Sequence, residues 1–156
     1  MAKGKDNLSP RINNRRALHE YFIDAKLECG LMLVGSEVKS LRAGKAQLQD
    51  AFAKVINGEL FLIGAHIDPY EKAALTYNHE PRRDRKLLVH KRELKKLAGE
   101  LDERATTLVP LAIYFKNGRA KVEIGVARGK QQHDKRAAIK KKEMDREIRK
   151  AMTHRH

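Results

Sequence analysis

Two alternating apolar runs, each folded back on itself at an Asn-Gly dipeptide, are the most legible pattern in the chain. The first joins Phe52-Ala53-Lys54-Val55-Ile56 to Glu59-Leu60-Phe61-Leu62-Ile63 through Asn57-Gly58. The second runs out along Val109, Leu111, Ile113 and Phe115, turns at Asn117-Gly118, and returns along Val122, Ile124 and Val126. Asn and Gly tolerate the positive φ of a type I′ turn, so each unit reads as a β-hairpin. Pro110 predicts an edge or a bulge at the start of the second. Upstream, Tyr21, Ile23, Ala25 and Leu27 alternate with Asp24, Lys26 and Glu28, which predicts a half-buried strand from Leu18 to Cys29. A continuous apolar stretch from Gly30 to Val34 follows it.

Two helices fall between these strands. Ser36 is placed to N-cap a short helix over Glu37–Arg42, with Gly44 as its stop. Its Val38 and Leu41 share one face, and Lys39 and Arg42 share a cationic one. The second spans His90–Leu101, with Leu94, Leu97, Ala98 and Leu101 at helical spacing. Gly64 to Arg85 reads as loop. Hairpins, an earlier strand and outlying helices predict a mainly β fold, an oligonucleotide-binding-type antiparallel barrel flanked by α-helices. Closure of such a barrel removes exposed strand edges.

Charge then divides the chain. Of 156 residues, 34 are Lys or Arg and 20 are Asp or Glu, a net charge of +14. Residues 1–16 hold five basic residues and one acid, and residues 128–156 hold eleven basic residues and four acids. The segment between them is nearly balanced. The expected organisation is therefore a flexible basic arm over 1–13, a folded body over 14–128 and a basic tail over 129–156. The tail has too few apolar residues for a core, although Met144, Ile148 and Met152 recur every fourth position. It is expected to be disordered when free and helical along a partner. Charge gathered at both ends points to a polyanion, nucleic acid or an anionic membrane surface. No apolar segment follows the first charges and no run approaches a membrane span, so a cytoplasmic protein is expected. Cys29 is alone, which leaves no disulfide framework and no thiolate metal cage.

Catalytic signatures are missing. Apart from the terminal His154-Arg155-His156, the histidines form no pair at metal-ligand spacing. Gly125 and Gly129 lack the Gly-Lys-Ser/Thr of a phosphate loop, and no Ser lies in a nucleophile elbow. The expectation is a non-enzymatic protein with no cofactor and no metal. His19, Tyr21, His66, Tyr70, Tyr77 and His79 offer planar surfaces that either stack on unpaired bases or pack in the core.

At this point the residues resemble a known family, small protein B (SmpB), the SsrA/tmRNA-binding proteins. The resemblance is carried by Asn14-Arg15-Arg16-Ala17 with His19-Glu20-Tyr21, by Glu28-Cys29-Gly30, and by Gly35 through Gly44. His66-Ile67-Asp68-Pro69-Tyr70, the run Pro81–Lys91, and Gly129-Lys130 with Asp134-Lys135-Arg136 complete it. The order and spacing of these pieces are far more specific than any one of them. The resemblance implies a barrel that binds the tRNA-like domain of transfer-messenger RNA (tmRNA) and delivers it to stalled ribosomes for trans-translation. The body would stand in for the anticodon arm, and the tail would enter the empty mRNA channel as a helix. Carried over by motif, the tmRNA-binding residues are Asn14, Arg15, His19, Tyr21, Glu28, Lys39, Leu88 and Lys121. Those of the tail in the ribosomal decoding centre are Gly129, Lys130, Gln132, His133, Asp134, Lys135 and Arg136. Phosphate repels a carboxylate, so Glu28 is either an acceptor for base amino groups or a structural cap. Gln131 departs from a pattern in which a second basic residue often follows Lys130. The expected partners are tmRNA and the stalled ribosome, with no membrane, and the free protein is expected to be a monomer. The alternative is a ribosome-associated or assembly protein that binds ribosomal RNA through the same barrel.

Overall fold

The computed structural model describes residues 9–73, 77–103, 106–130 and 132–154, without the side chains of 102–103, 132–138 and 154. Nine strands and four helices are ordered along these residues as follows. A short strand β1 (Ile12–Asn13) leads into α1 (Arg15–Glu20), the long β2 (Tyr21–Leu31) and α2 (Gly35–Arg42). Then come β3 (Ala46–Gln47), β4 (Phe52–Ile56), β5 (Glu59–Ile63), β6 (His66–Ile67) and β7 (Arg85–Leu88). The chain continues through α3 (Lys91–Glu103), β8 (Thr107–Lys116), β9 (Arg119–Gly129) and α4 (Gln132–His154).

The main sheet closes on itself. Its order is β1-β8-β4-β5-β7-β2-β9, and β9 also pairs with β8, so six strands form a ring with β1 added outside β8. All pairings are antiparallel. The result is a mainly β barrel with flanking helices, as the pattern of apolar runs predicts. Both Asn-Gly turns take the expected geometry, with φ of 50° and 74° at Asn57 and Gly58 and 52° and 75° at Asn117 and Gly118. Inside the ring, Cys29, Leu31, Leu60, Leu62, Leu87, Leu108, Ile113, Val122 and Ile124 make the core, and α2 contributes Leu41. Burial pushes the Cys29 thiol up to about 12, which makes it a small apolar filler.

A second, smaller cluster lies on the outer side of the wall, where Ala17 of α1 packs on Val109, Leu111 and Ala127. The strands approach closely there. A Cβ at Gly125 would come within 3.0 Å of Leu111 Cδ1 and 3.2 Å of Ile23 Cγ2. The bulge that Pro110 predicts is present, a register shift between Pro110 and Ala112 that leaves Leu111 as the extra residue.

Four local expectations are corrected. The alternation from Leu18 begins as a strand only at Tyr21, because Asn14 caps a six-residue helix over Arg15–Glu20. The sheet starts inside the expected 1–13 arm, since Ile12 and Asn13 pair with Ile113 and Ala112. Within the expected loop, His66–Ile67 forms a two-residue ladder with Ala46–Gln47. Ser36 is not a cap, for α2 begins one residue earlier, at Gly35. The Ser36 hydroxyl instead lies 2.8 Å from Nδ1 of His79, whose Nε2 is 2.9 Å from the Ile67 carbonyl.

A buried ion pair fastens α2 to the ring. Glu37 and Arg85 are both fully buried, and Arg85 Nε donates to Glu37 Oε2. Arg85 also donates to the carbonyls of Ala65 (2.8 Å), Arg83 (3.1 Å) and Pro81 (3.0 Å), and Arg83 adds bonds to the same carboxylate. The first N–H of the helix turn, at Val34, donates to Glu37 Oε1 at 3.0 Å. Burial pushes the Glu37 carboxyl up, but the bonds from Arg83, Val34 N–H and Arg85 outweigh it and hold it below the usual carboxylate range. A depressed folded value means this stabilisation is complete above the ordinary Glu value of about 4.3 and is lost as acid titrates through the folded one. Removing one partner strands a buried charge. Arg85→Met is expected to cost about 3 kcal/mol in urea unfolding, and Arg85→Met with Glu37→Met markedly less.

Candidate nucleic-acid interface

The long β2–β9 ladder defines two ends of the barrel wall. At one end Tyr21 faces Gly129, and at the other Gly30 faces Lys121. Nine steps along the strand separate them, roughly 30 Å at about 3.3 Å per residue.

At the far end Gly30 is flanked by Lys121 on β9 and Leu88 on β7. A Cβ on Gly30 would sit 3.1 Å from Leu88 Cβ, so glycine lets the Leu88 side chain lie across the strand. An open groove of about 690 Å³ forms here. Leu31, Leu33, Val38 and Phe115 make its walls apolar, while Glu28, Lys121, Arg119 and Glu93 give it charge. Leu88 is 51% exposed despite its size. The structure thus brings together Glu28, Leu88 and Lys121, which lie far apart in the chain. Glu28 is not a helix or turn cap. Its carboxylate accepts from the Tyr114 hydroxyl through Oε2 and from Lys116 Nζ through Oε1 at 3.4 Å. The Tyr114 bond, followed by the nearby Lys116 and Lys121, holds its carboxyl below the ordinary value.

At the near end α1 presents Arg15 and Leu18 to solvent, with His19 beside them. Tyr21 is half-buried against the outer cluster. Asn14 belongs under this surface rather than on it. It is 5% exposed, and its Nδ2 donates to the carbonyls of Leu48 (3.1 Å) and Pro110 (2.9 Å) while Oδ1 accepts from Ala17 N–H (3.3 Å). The bulge in β8 supplies two of its bonds: Asn14 N–H donates to the Leu111 carbonyl at 2.8 Å, and Pro110, whose carbonyl accepts from Nδ2, is the residue before the shift. The Asn14-Arg15-Arg16 motif therefore pairs an internal peg with exposed cations.

The same end launches the tail. Asp24 sits at a register shift in β2 and receives two bonds from Arg128, at 2.7 Å and 3.0 Å. Arg128 and Lys130 both lie over the Phe22 ring, 5.6 Å and 5.1 Å from its centroid. Lys130 N–H donates to the Glu20 carbonyl at 2.9 Å and its Nζ to Leu18 at 3.3 Å. The chain is thus clamped to the barrel two residues beyond the expected boundary at 128. Gln131 lies outside the described residues. Gln132, His133, Asp134, Lys135 and Arg136 open helix α4, and their side chains are not among those described. Farther along α4, every described side chain is exposed, including Met144, Ile148 and Met152.

Lys39 forms a third position on the exposed face of α2, with its Nζ 5.3 Å from the centre of the Tyr70 ring. Its neighbour Arg42 is committed elsewhere, stacked 4.3 Å from Phe115 and donating to Ser9 at 3.2 Å. Among the planar side chains, His79 is buried and bonded internally, whereas Tyr77 is 82% exposed. Sequence reasoning missed Tyr114 and Phe22, which set the orientation of Glu28 and of the tail junction. Both look like ordinary strand aromatics, and only the cross-strand register reveals their partners.

Comparison with known proteins now settles the family. The family model described as "SmpB protein" matches residues 11–154. The chain belongs to the SmpB family. It is 55% identical over 144 residues to the SsrA-binding protein of Syntrophotalea carbinolica, covering 92% of this chain and 95% of that protein. The SsrA-binding protein of Thermosynechococcus vestitus is 50% identical over 150 residues, covering 96% and 99%. The same comparison with Geobacillus thermodenitrificans gives 51% over 155 residues, 99% and 98%. A solved structure described as "tmRNA-SmpB: a journey to the center of the bacterial ribosome" contains a chain that superposes with a TM-score of 0.67 at 48% identity. It covers 84% of this chain and 95% of its own. The likeness to SmpB proteins thus spans both ends of the barrel and the tail helix.

Substitution at Asn14 checks its place under this surface. Asn14→Ala removes a cap and the side-chain donor to two buried carbonyls, of which Leu48 keeps its bond from Ala51 N–H, with an expected loss of about 2 kcal/mol in denaturant unfolding. Arg15→Ala, on the exposed side of the same helix, is expected to change stability by less than about 0.5 kcal/mol.

Proposed function

We propose that this chain binds the tRNA-like domain of tmRNA through its barrel and brings it to stalled ribosomes for trans-translation. The observation that carries the reading is the convergence of Glu28, Leu88 and Lys121 in one groove. Each offers a different contact: an acceptor for base donors, an exposed apolar surface for a base or ribose, and a cation for phosphate. Arg15, His19 and Tyr21 form a second contact area at the other end of β2, with Asn14 holding α1 in place beneath them. Lys39 extends the cationic surface across α2.

The tail takes the ribosomal part. Gly129 and Lys130 leave the barrel at a clamped junction, and Gln132, His133, Asp134, Lys135 and Arg136 enter the decoding centre as the start of a helix. The remainder of α4 follows the empty mRNA channel. Its exposed apolar positions and sparse internal contacts favour a segment that is coil when free and gains its helix on the ribosome. The body stands in for an anticodon arm and performs no chemistry of its own; peptidyl transfer is left to the ribosome. No helix among the described residues is long and apolar enough to cross a membrane. The ribosome as partner favours a cytoplasmic protein, and the free chain is expected to be a monomer.

Truncation separates this role from simple ribosomal-RNA binding. The cut belongs after Lys130, so that the clamp on Glu20 and Phe22 is kept. In reconstituted translation of a message lacking a stop codon, residues 1–130 are expected to bind tmRNA but to give no tagged product. Tagging at the full-length level by the shortened chain would refute the assigned role of the tail.

A further inference from the structure

Behind the Glu28 carboxylate stands a residue with no evident need to be there. Tyr114 lies on β8 opposite Lys121, and its hydroxyl crosses to Glu28 Oε2 on β2. Its ring is held on the other side by Arg11, whose guanidinium carbon is 4.8 Å from the centroid and which also reaches Glu123 at 4.0 Å. An exposed glutamate among cations has many rotamers open to it, including ones that turn both oxygens onto Lys116 or swing across to Lys121. Tyr114 removes that freedom. A phenol is a donor to a carboxylate, so it favours the ionised acid, and with Oε2 engaged, Oε1 has only the long Lys116 contact among the described residues.

We propose that Tyr114 is a positioning residue for RNA recognition: it fixes Glu28 so that one carboxylate oxygen meets an amino group of an unpaired nucleobase in the groove. The proposal rests on the reading of the groove as an RNA site. Selectivity follows from the energetics of an ionised acceptor. Placed among phosphates, it is unfavourable unless an N–H donor satisfies it, so an RNA that lacks the donor there is rejected. Lys116, Lys121 and Arg119 offset the repulsion from phosphate without replacing that donor. Arg11 links the device to the N-terminal segment, because the same arginine that packs on Tyr114 immediately precedes β1.

The test is a double-mutant cycle on the full-length chain, using Tyr114→Phe, Glu28→Gln and the two combined. Binding is read on the tRNA-like domain of tmRNA and on a ribosomal RNA fragment. Phe keeps the ring under Arg11 and removes only the hydroxyl. Tyr114→Phe is expected to weaken binding to the tRNA-like domain about fivefold to tenfold. The double variant should be no weaker than Glu28→Gln alone. Other titrating or charged groups around Glu28 are Lys116 on β8, Arg119, Lys121 and Glu123 on β9, Arg11 on Tyr114, and His90 and Glu93 beside the groove. All remain in both proteins, so the ratio of variant to wild-type affinity isolates the carboxylate. That ratio is expected to fall further as pH drops from about 7 to about 5, because Glu28 without its phenol partner takes up a proton more readily on RNA. Thermal melting of each variant accounts for any loss of fold.

Undiminished binding by Tyr114→Phe, or losses that simply add in the double variant, would overturn the positioning role. Wild-type binding that shows no preference for the tRNA-like domain would overturn the reading of the groove. Coupled losses on both RNAs would then still support the role of Tyr114 in holding Glu28.

Discussion

Closure of the strand ring through β9 is the constraint on which the rest of the molecule depends. β9 pairs with β2 from Tyr21 to Gly30 and with β8 from Thr107 to Lys116, so one strand joins both sides of the barrel. Closing the ring removes the edges that a small open sheet would expose. It also spaces the functional surfaces, because the ends of the same ladder hold the tail junction and the groove. A register slip in β9 would move Lys121 away from Gly30 and Gly129 away from Tyr21 in a single step. Gly125 and the Leu111 bulge set that register at the tightest point of the wall.

Charge does two kinds of work around this frame. Some of it is spent inside: Arg85 and Arg83 hold Glu37, and through it α2, whose Val38 walls the groove and whose Lys39 faces outward. Arg128 likewise holds Asp24 and fixes the junction where the tail begins. Other cations are left at the surface, where they supply affinity for any polyanion but little selectivity. Selectivity is assigned instead to the groove, where Glu28 stands beside Lys121 and Arg119 between apolar walls. An RNA interface made only of lysine and arginine would hold tRNA, tmRNA and ribosomal RNA in much the same way.

Most of the barrel was legible because its hairpins announce themselves by alternation and Asn-Gly turns. Ring closure was less so, since no local pattern shows that β9 serves two neighbours. Helix α1 was hidden because six residues that bury only Ala17 leave almost no periodic signal, although Asn14 is a good cap. Ser36 misled for the opposite reason: a residue suited to capping is used instead to bond His79. The site was legible only through resemblance. Glu28, Leu88 and Lys121 have unremarkable sequence contexts, and their meeting depends on three strands in register. Tyr114 escaped notice because its role lies in a cross-strand bond that no spacing in the sequence encodes.

On the proposed function, specificity resides in the barrel while the charged tail serves the ribosome. Equilibrium binding of residues 1–130 to tmRNA, tRNA and a ribosomal RNA fragment across a salt series tests it most directly. A preference for tmRNA that survives at physiological salt is expected. Equal affinities that collapse together as salt rises would contradict it, for the barrel would then read only charge.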